Sequence, residues 1–148
     1  MTYEEKIQIL DNAIIQMNTY LSYGAAYNDH LDRTGNEARR EAYDVLKKIE
    51  ATQYSIYSIK NISFDSCRRN MWGHHVGEYE IQCANKCNAY KQSVSSVINI
   101  LEQERTRLIQ EQNNEEQKSN KQLAKWTLVF SIIAALGTIA SVLLAIFN

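Results

Sequence analysis

The chain is predicted to be all-α: a cytoplasmic helical bundle followed by a long helix or stalk and one C-terminal transmembrane helix. Three observations predict this. Its 148 residues contain no proline and are rich in the helix formers Ala, Glu, Gln, Lys and Ile. Apolar residues recur at helical spacing through most of the first 110 positions. From Trp126 to Phe147 the chain then carries no charge at all. These features divide it into a helical domain over 1–110, a polar stalk or linker over 111–125 and an apolar helix over 126–147.

The first helix is expected to start at Thr2, whose hydroxyl can accept a backbone N–H while Glu5 reciprocates. Ile7, Leu10, Ile14, Met17 and Leu21 share one face of it, and Tyr23-Gly24 marks its end. Thr34-Gly35-Asn36-Glu37 repeats the capping-box spacing and predicts a second helix. Ala38, Ala42, Val45, Leu46, Ile49, Ile56 and Ile59 continue that helix to about Lys60. Asn61 to Ser63 reads as a break, and Ser63-x2-Ser66 opens a short third piece that bends between Gly73 and Gly77. From Glu78 the pattern is helical again, with Ile81, Ala84, Cys87, Val94, Ile98, Leu101, Leu108 and Ile109 aligned. Tyr20, Tyr23, Tyr27, Tyr43, Tyr54 and Tyr57 are expected to bury their rings and leave the hydroxyls at an edge.

As a helix, the 22 residues from Trp126 to Phe147 would extend roughly 33 Å, against a hydrocarbon layer of roughly 30 Å. Lys118, Lys121 and Lys125 precede the run and no basic residue follows it, which directs the N-terminal part to the cytoplasm. The polar, acidic start Met1 to Glu5 has no apolar core behind it, so no signal peptide is expected. Ser131, Ala134, Gly137, Thr138, Ser141 and Ala145 form a stripe of small residues, the pattern by which membrane helices approach one another. The expectation is a single-pass membrane protein whose spans associate into a homo-oligomer, with a pore as one outcome of that assembly.

Residues 1–117 carry 13 Lys/Arg against 17 Asp/Glu, a formal charge of −4. Such a domain lacks the global field of a strong nucleic-acid binder, so any RNA contact must be local or built by assembly. No phosphate-cradling glycine loop, nucleophile elbow or pair of catalytic carboxylates is present, which removes the ATPase and hydrolase classes those motifs license. No cofactor is called for.

Chemistry concentrates in residues 67–87, where two readings compete. In one, Arg69 and His74 act on a phosphodiester: the histidine deprotonates a 2′-hydroxyl or protonates the leaving oxygen, and the arginine stabilises charge on phosphate. Asn70 would orient the histidine or a phosphate oxygen. Five residues apart, the two side chains point about 140° from each other on a regular helix, so a bend at Gly73 or a second subunit must bring them together. In the other, Cys67, Cys83 and Cys87 with His74 or His75 offer three sulfurs and a nitrogen to tetrahedral zinc. The spacing C-x6-H-H-x7-C-x3-C is not a familiar zinc signature, and cytoplasmic cysteines are not expected to pair as disulfides.

Arg69, Asn70 and His74 match all three specified positions of R-N-x-x-x-H, and the stretch resembles the signature of the HEPN family. The resemblance implies an α-helical domain that dimerises, two copies of the signature forming one metal-independent endoribonuclease site. Gly73 and Gly77 depart from it by weakening the local helix. With the apolar run added, the architecture is similar to the small HEPN-containing membrane accessory proteins of type VI-B CRISPR RNA-targeting systems. That likeness implies antiviral defence at the bacterial inner membrane, with RNA or an RNA-guided effector complex as partner. HEPN domains also include non-catalytic nucleotide-binding and assembly modules, so enzyme and scaffold both remain open here.

Overall fold

The computed structural model describes the backbone of residues 1–68 and 76–146 and the side chains of residues 1–68 and 76–136. Its described elements are α1 (Tyr3–Tyr23), α2 (Leu31–Lys48), α3 (Gln53–Lys60), a 3-10 turn over Asp65–Cys67 and the long α4 (Val76–Ile146). They fall into two compact units, Met1–Ile109 and Gln110–Asn148.

Local chemistry sets the start of α1 as the sequence predicts. Glu5 N–H donates to Thr2 Oγ1 at 3.2 Å, and Thr2 N–H donates to the Glu5 carboxylate at 2.8 Å, closing the capping box. The start of α2 differs from the expected Thr34 to Glu37 box. Asn28 Oδ1 accepts the His30 N–H at 3.0 Å, and α2 begins at Leu31, which is fully buried. Thr34 is already inside the helix, its N–H donating to the His30 carbonyl at 2.9 Å.

The expected single helix to Lys60 is two helices, because α2 closes in a Schellman motif. Glu50 N–H donates to Lys47 O at 3.1 Å, and Ala51 N–H donates to Leu46 O at 2.9 Å. Glu50 takes the left-handed position of that motif at φ 57°, where glycine is usual. Thr52 then caps α3 by accepting the Ser55 N–H at 3.2 Å. Ser63 Oγ likewise accepts the Asp65 N–H, at 3.1 Å, and starts the 3-10 turn.

The core of Met1–Ile109 is assembled from one stripe per helix. Leu10, Ala13 and Met17 of α1 meet Leu31, Ala38, Ala42 and Leu46 of α2, with Ile59, Phe64 and Cys67 filling between. The buried stripe of α4 runs Tyr90, Val94, Val97, Leu101, Glu104 and Leu108, an alternation of four and three residues that keeps one face inward. Gly35 of α2 admits the Phe64 ring: a Cβ there would lie 2.1 Å from Phe64 Cδ1. Phe64 in turn packs on Tyr90 with ring centroids 5.9 Å apart, and the Tyr90 hydroxyl donates to the Tyr20 carbonyl at 2.8 Å. Ile81, expected in the core stripe, is 63% exposed. The tyrosines also depart from expectation, since Tyr54 and Tyr57 stand 75% and 67% exposed while the fully buried ring is Tyr90.

Within Gln110–Asn148, α4 continues as helix through the polar stretch, and Trp126 and Phe130 lie with ring centroids 6.3 Å apart. The predicted transmembrane helix over 126–147 is not found: among the described residues no helix is long and apolar enough to cross a membrane. The fold class is therefore corrected to an all-α bundle without a transmembrane helix among the described residues. The single-pass inner-membrane placement, the membrane-effector function and the pore lose their basis with that span.

Candidate functional site

The signature residues Arg69, Asn70 and His74 lie outside the described residues, as does His75. Their flanks are described. On one side the 3-10 turn ends at Cys67, which is buried, and Lys86 Nζ of α4 donates to the Arg68 carbonyl. Ser93 Oγ of α4 reaches the Ser63 carbonyl at 3.1 Å, a second tie between this connection and the helix. On the other side α4 begins at Val76. Both ends of the segment therefore adjoin α4.

The three cysteines are thiols rather than disulfides, Cys67 buried and Cys83 and Cys87 half-buried. Burial pushes the Cys67 thiol up, against the lowering influence of the Ser66 hydroxyl and the Lys86 ammonium. Among the described residues no three His, Cys, Asp or Glu side chains gather as metal ligands. In the small-residue stripe, Ser131 Oγ donates to the Thr127 carbonyl of its own helix at 2.9 Å, and Ser131 and Ala134 are both exposed. Gly137 lies within α4, and the side chains of Thr138, Ser141 and Ala145 lie outside those described.

A groove that the sequence reading did not single out lies between α2 and α3. It encloses about 570 Å³ and is lined by Arg33, Glu37, Arg40, Tyr43, Ile59 and Lys60, with Asn36 and Arg39 completing the wall. Its charge is local: Arg33 and Arg40 are seven residues apart on one face of α2, both are exposed, and neither has a carboxylate partner among the described residues. Arg39 has a structural duty, donating from Nη1 to the Ile62 carbonyl at 2.9 Å and fixing the end of α3. Lys47 and Lys60 place their ammonium groups 5.2 and 5.3 Å from the centre of the Tyr43 ring, drawn by its negative face. A hydrogen bond with Lys47, with the nearby charges of Lys47 and Lys60, holds the Tyr43 phenol below its ordinary value despite some desolvation. The signal in the sequence was the spacing of Arg33, Arg40 and Lys47 at seven-residue intervals, but Lys60 joins them only because α2 and α3 fold back on one another.

Comparison with known proteins adds no relative. No protein-family model, curated protein or solved structure matches this chain. What the chain's own residues offer an incoming molecule is a cationic, partly aromatic groove suited to phosphate.

Proposed function

We propose that this chain acts on RNA as a homodimeric helical domain of HEPN type, with Arg69, Asn70 and His74 forming a metal-independent endoribonuclease site. The observation that carries the reading is the complete Arg69-Asn70-x3-His74 signature in an all-α chain. Support comes from the described flanks of the signature, the Arg68 carbonyl accepting from Lys86 Nζ and α4 beginning at Val76.

In this reading the His74 imidazole takes the proton of a ribose 2′-hydroxyl, whose oxygen attacks the adjacent phosphorus. The bond from phosphorus to the 5′-oxygen of the next nucleotide breaks, that oxygen gains a proton from the second histidine of the dimer, and a 2′,3′-cyclic phosphate is left. Arg69 neutralises the charge that builds on the non-bridging oxygens, and Asn70 orients the histidine or a phosphate oxygen.

The test is cleavage of a fluorescent RNA by the purified full-length chain in EDTA, with its mass in solution measured in parallel. Cleavage in EDTA by a dimer, reduced at least about a hundredfold in His74→Ala, is expected. Undiminished cleavage by His74→Ala, or none by the parent chain, overturns the reading.

A further inference from the structure

We infer that the α2/α3 groove and the exposed tyrosines of α3 together form a binding track for single-stranded RNA, phosphates held by Arg33, Arg40 and Lys60 and bases stacked on Tyr54 and Tyr57. The inference deepens the proposed action on RNA and rests on it for the identity of the strand.

Tyr54, Tyr57 and Lys60 follow one another at three-residue intervals along α3, so each lies about 60° around the helix and about 4.5 Å along it from the last. They form one slanting row. Lys60 belongs both to that row and to the groove wall, and so joins the aromatic surface to the basic one. Two tyrosines left 75% and 67% exposed on an eight-residue helix whose opposite face holds the buried Ser55 and Ile59 contribute nothing to the core. Exposed phenol rings offer flat faces to any base, and such stacking tolerates all four.

The pairing of the two surfaces decides the ligand class. A groove of cations alone would serve any polyanion, and rings alone any apolar partner. Guanidinium and ammonium groups beside exposed rings suit a strand whose bases are unpaired and turned outward, because a duplex hides its base faces. Glu37 lies between Arg33 and Arg40 on the same face of α2 and repels phosphate locally, so the phosphate contacts fall to either side of it. The track also reconciles RNA contact with an acidic chain, whose overall field gives no attraction of its own.

The test is fluorescence anisotropy of a labelled uridine-rich single strand and of a blunt duplex of equal length, using the full-length chain carrying His74→Ala so that cleavage does not interfere. Arg33→Gln with Arg40→Gln is expected to weaken single-strand binding at least about tenfold and to flatten its salt dependence. Tyr54→Ser and Tyr57→Ser are each expected to weaken it at least about fivefold while leaving the weaker duplex binding unchanged. All four side chains are exposed, and helical circular dichroism of each variant verifies that the bundle is intact. Single-strand affinity unaltered by these substitutions, equal loss for strand and duplex in the tyrosine variants, or no binding by the unsubstituted groove overturns the track. Binding that follows the groove in a chain that never cleaves RNA sinks the endoribonuclease reading and leaves the track standing; cleavage indifferent to the groove does the reverse.

Discussion

Glu104 of α4 accepts the backbone N–H of Thr52 at 3.1 Å and thereby caps α3 from another helix. The same carboxylate accepts the Ser55 hydroxyl at 2.8 Å, the Thr52 hydroxyl at 3.3 Å and the Arg107 guanidinium at 2.6 Å, all at a position only 2% exposed. Burial by itself would raise its pKa, but the bonds from Arg107, Ser55 and the Thr52 N–H outweigh that and hold it below the usual carboxylate range. A charge in the core stripe is tolerated because its oxygens are occupied.

Glu104→Ala is expected to cost about 3 kcal/mol, since it opens a cavity and strips partners from Thr52 and Ser55 together. Because the folded pKa is depressed, the contribution of Glu104 is fully present above the ordinary value of about 4.3 and is lost as pH falls through the folded value. Glu104→Gln removes that titration. Urea midpoints at neutral and acid pH should show parent and Gln variant well separated at neutrality and converging in acid; a constant gap would contradict the assignment.

Glu50 occupies the left-handed position of the Schellman motif with φ 57°. Its carboxylate lies 3.8 Å from Lys6 Nζ but is 86% exposed, so little is lost with it. Glu50→Gly should therefore stabilise the fold by about 0.5–1 kcal/mol, read as a higher melting temperature, whereas Glu50→Ala should bring no such gain.

Gly35→Ala would be mildly favourable in an open helix, by about 1 kcal/mol. Here the added methyl meets the Phe64 ring, so a net loss of about 1–3 kcal/mol is expected. Pairing it with Phe64→Leu should recover part of the loss. Independent, additive effects in a double-mutant cycle would show that the two positions do not press on each other.

Thiol titration should separate the cysteines. Cys83 and Cys87 are half-buried, while Cys67 is buried with its thiol pushed up, so Cys67 is expected to react with a disulfide reagent only as the domain opens. Its rate should track urea concentration; prompt reaction of all three in the folded chain would contradict the packing.

Much of this architecture was legible because its causes are local. The Thr2/Glu5 box, the absence of proline and the spacing of Leu10 and Met17 carry α1 without help from the rest of the chain. The break between α2 and α3 was not, since its turn residue is Glu50 where glycine would have announced it. The inward place of Glu104 had no local signal either: a charge in the apolar stripe is accounted for only by Thr52 and Ser55, about 50 positions away, which satisfy it. The apolar run showed the opposite failing, because lack of charge is a compositional signal and the described structure contains no helix that meets the length and apolarity of a span.

By itself the sequence determined the all-α class, the capped start of α1 and the Arg69-Asn70-x3-His74 signature, all of which follow from residue types at short spacing. Only the tertiary structure decided that the Glu104 carboxylate closes on Thr52 and Ser55 and that Arg33, Arg40 and Lys60 share one groove with Tyr43. The physical reason is range. Helix capping is decided within a few residues, whereas the cost of a buried charge and the field of a cation cluster depend on whichever side chains the fold brings alongside.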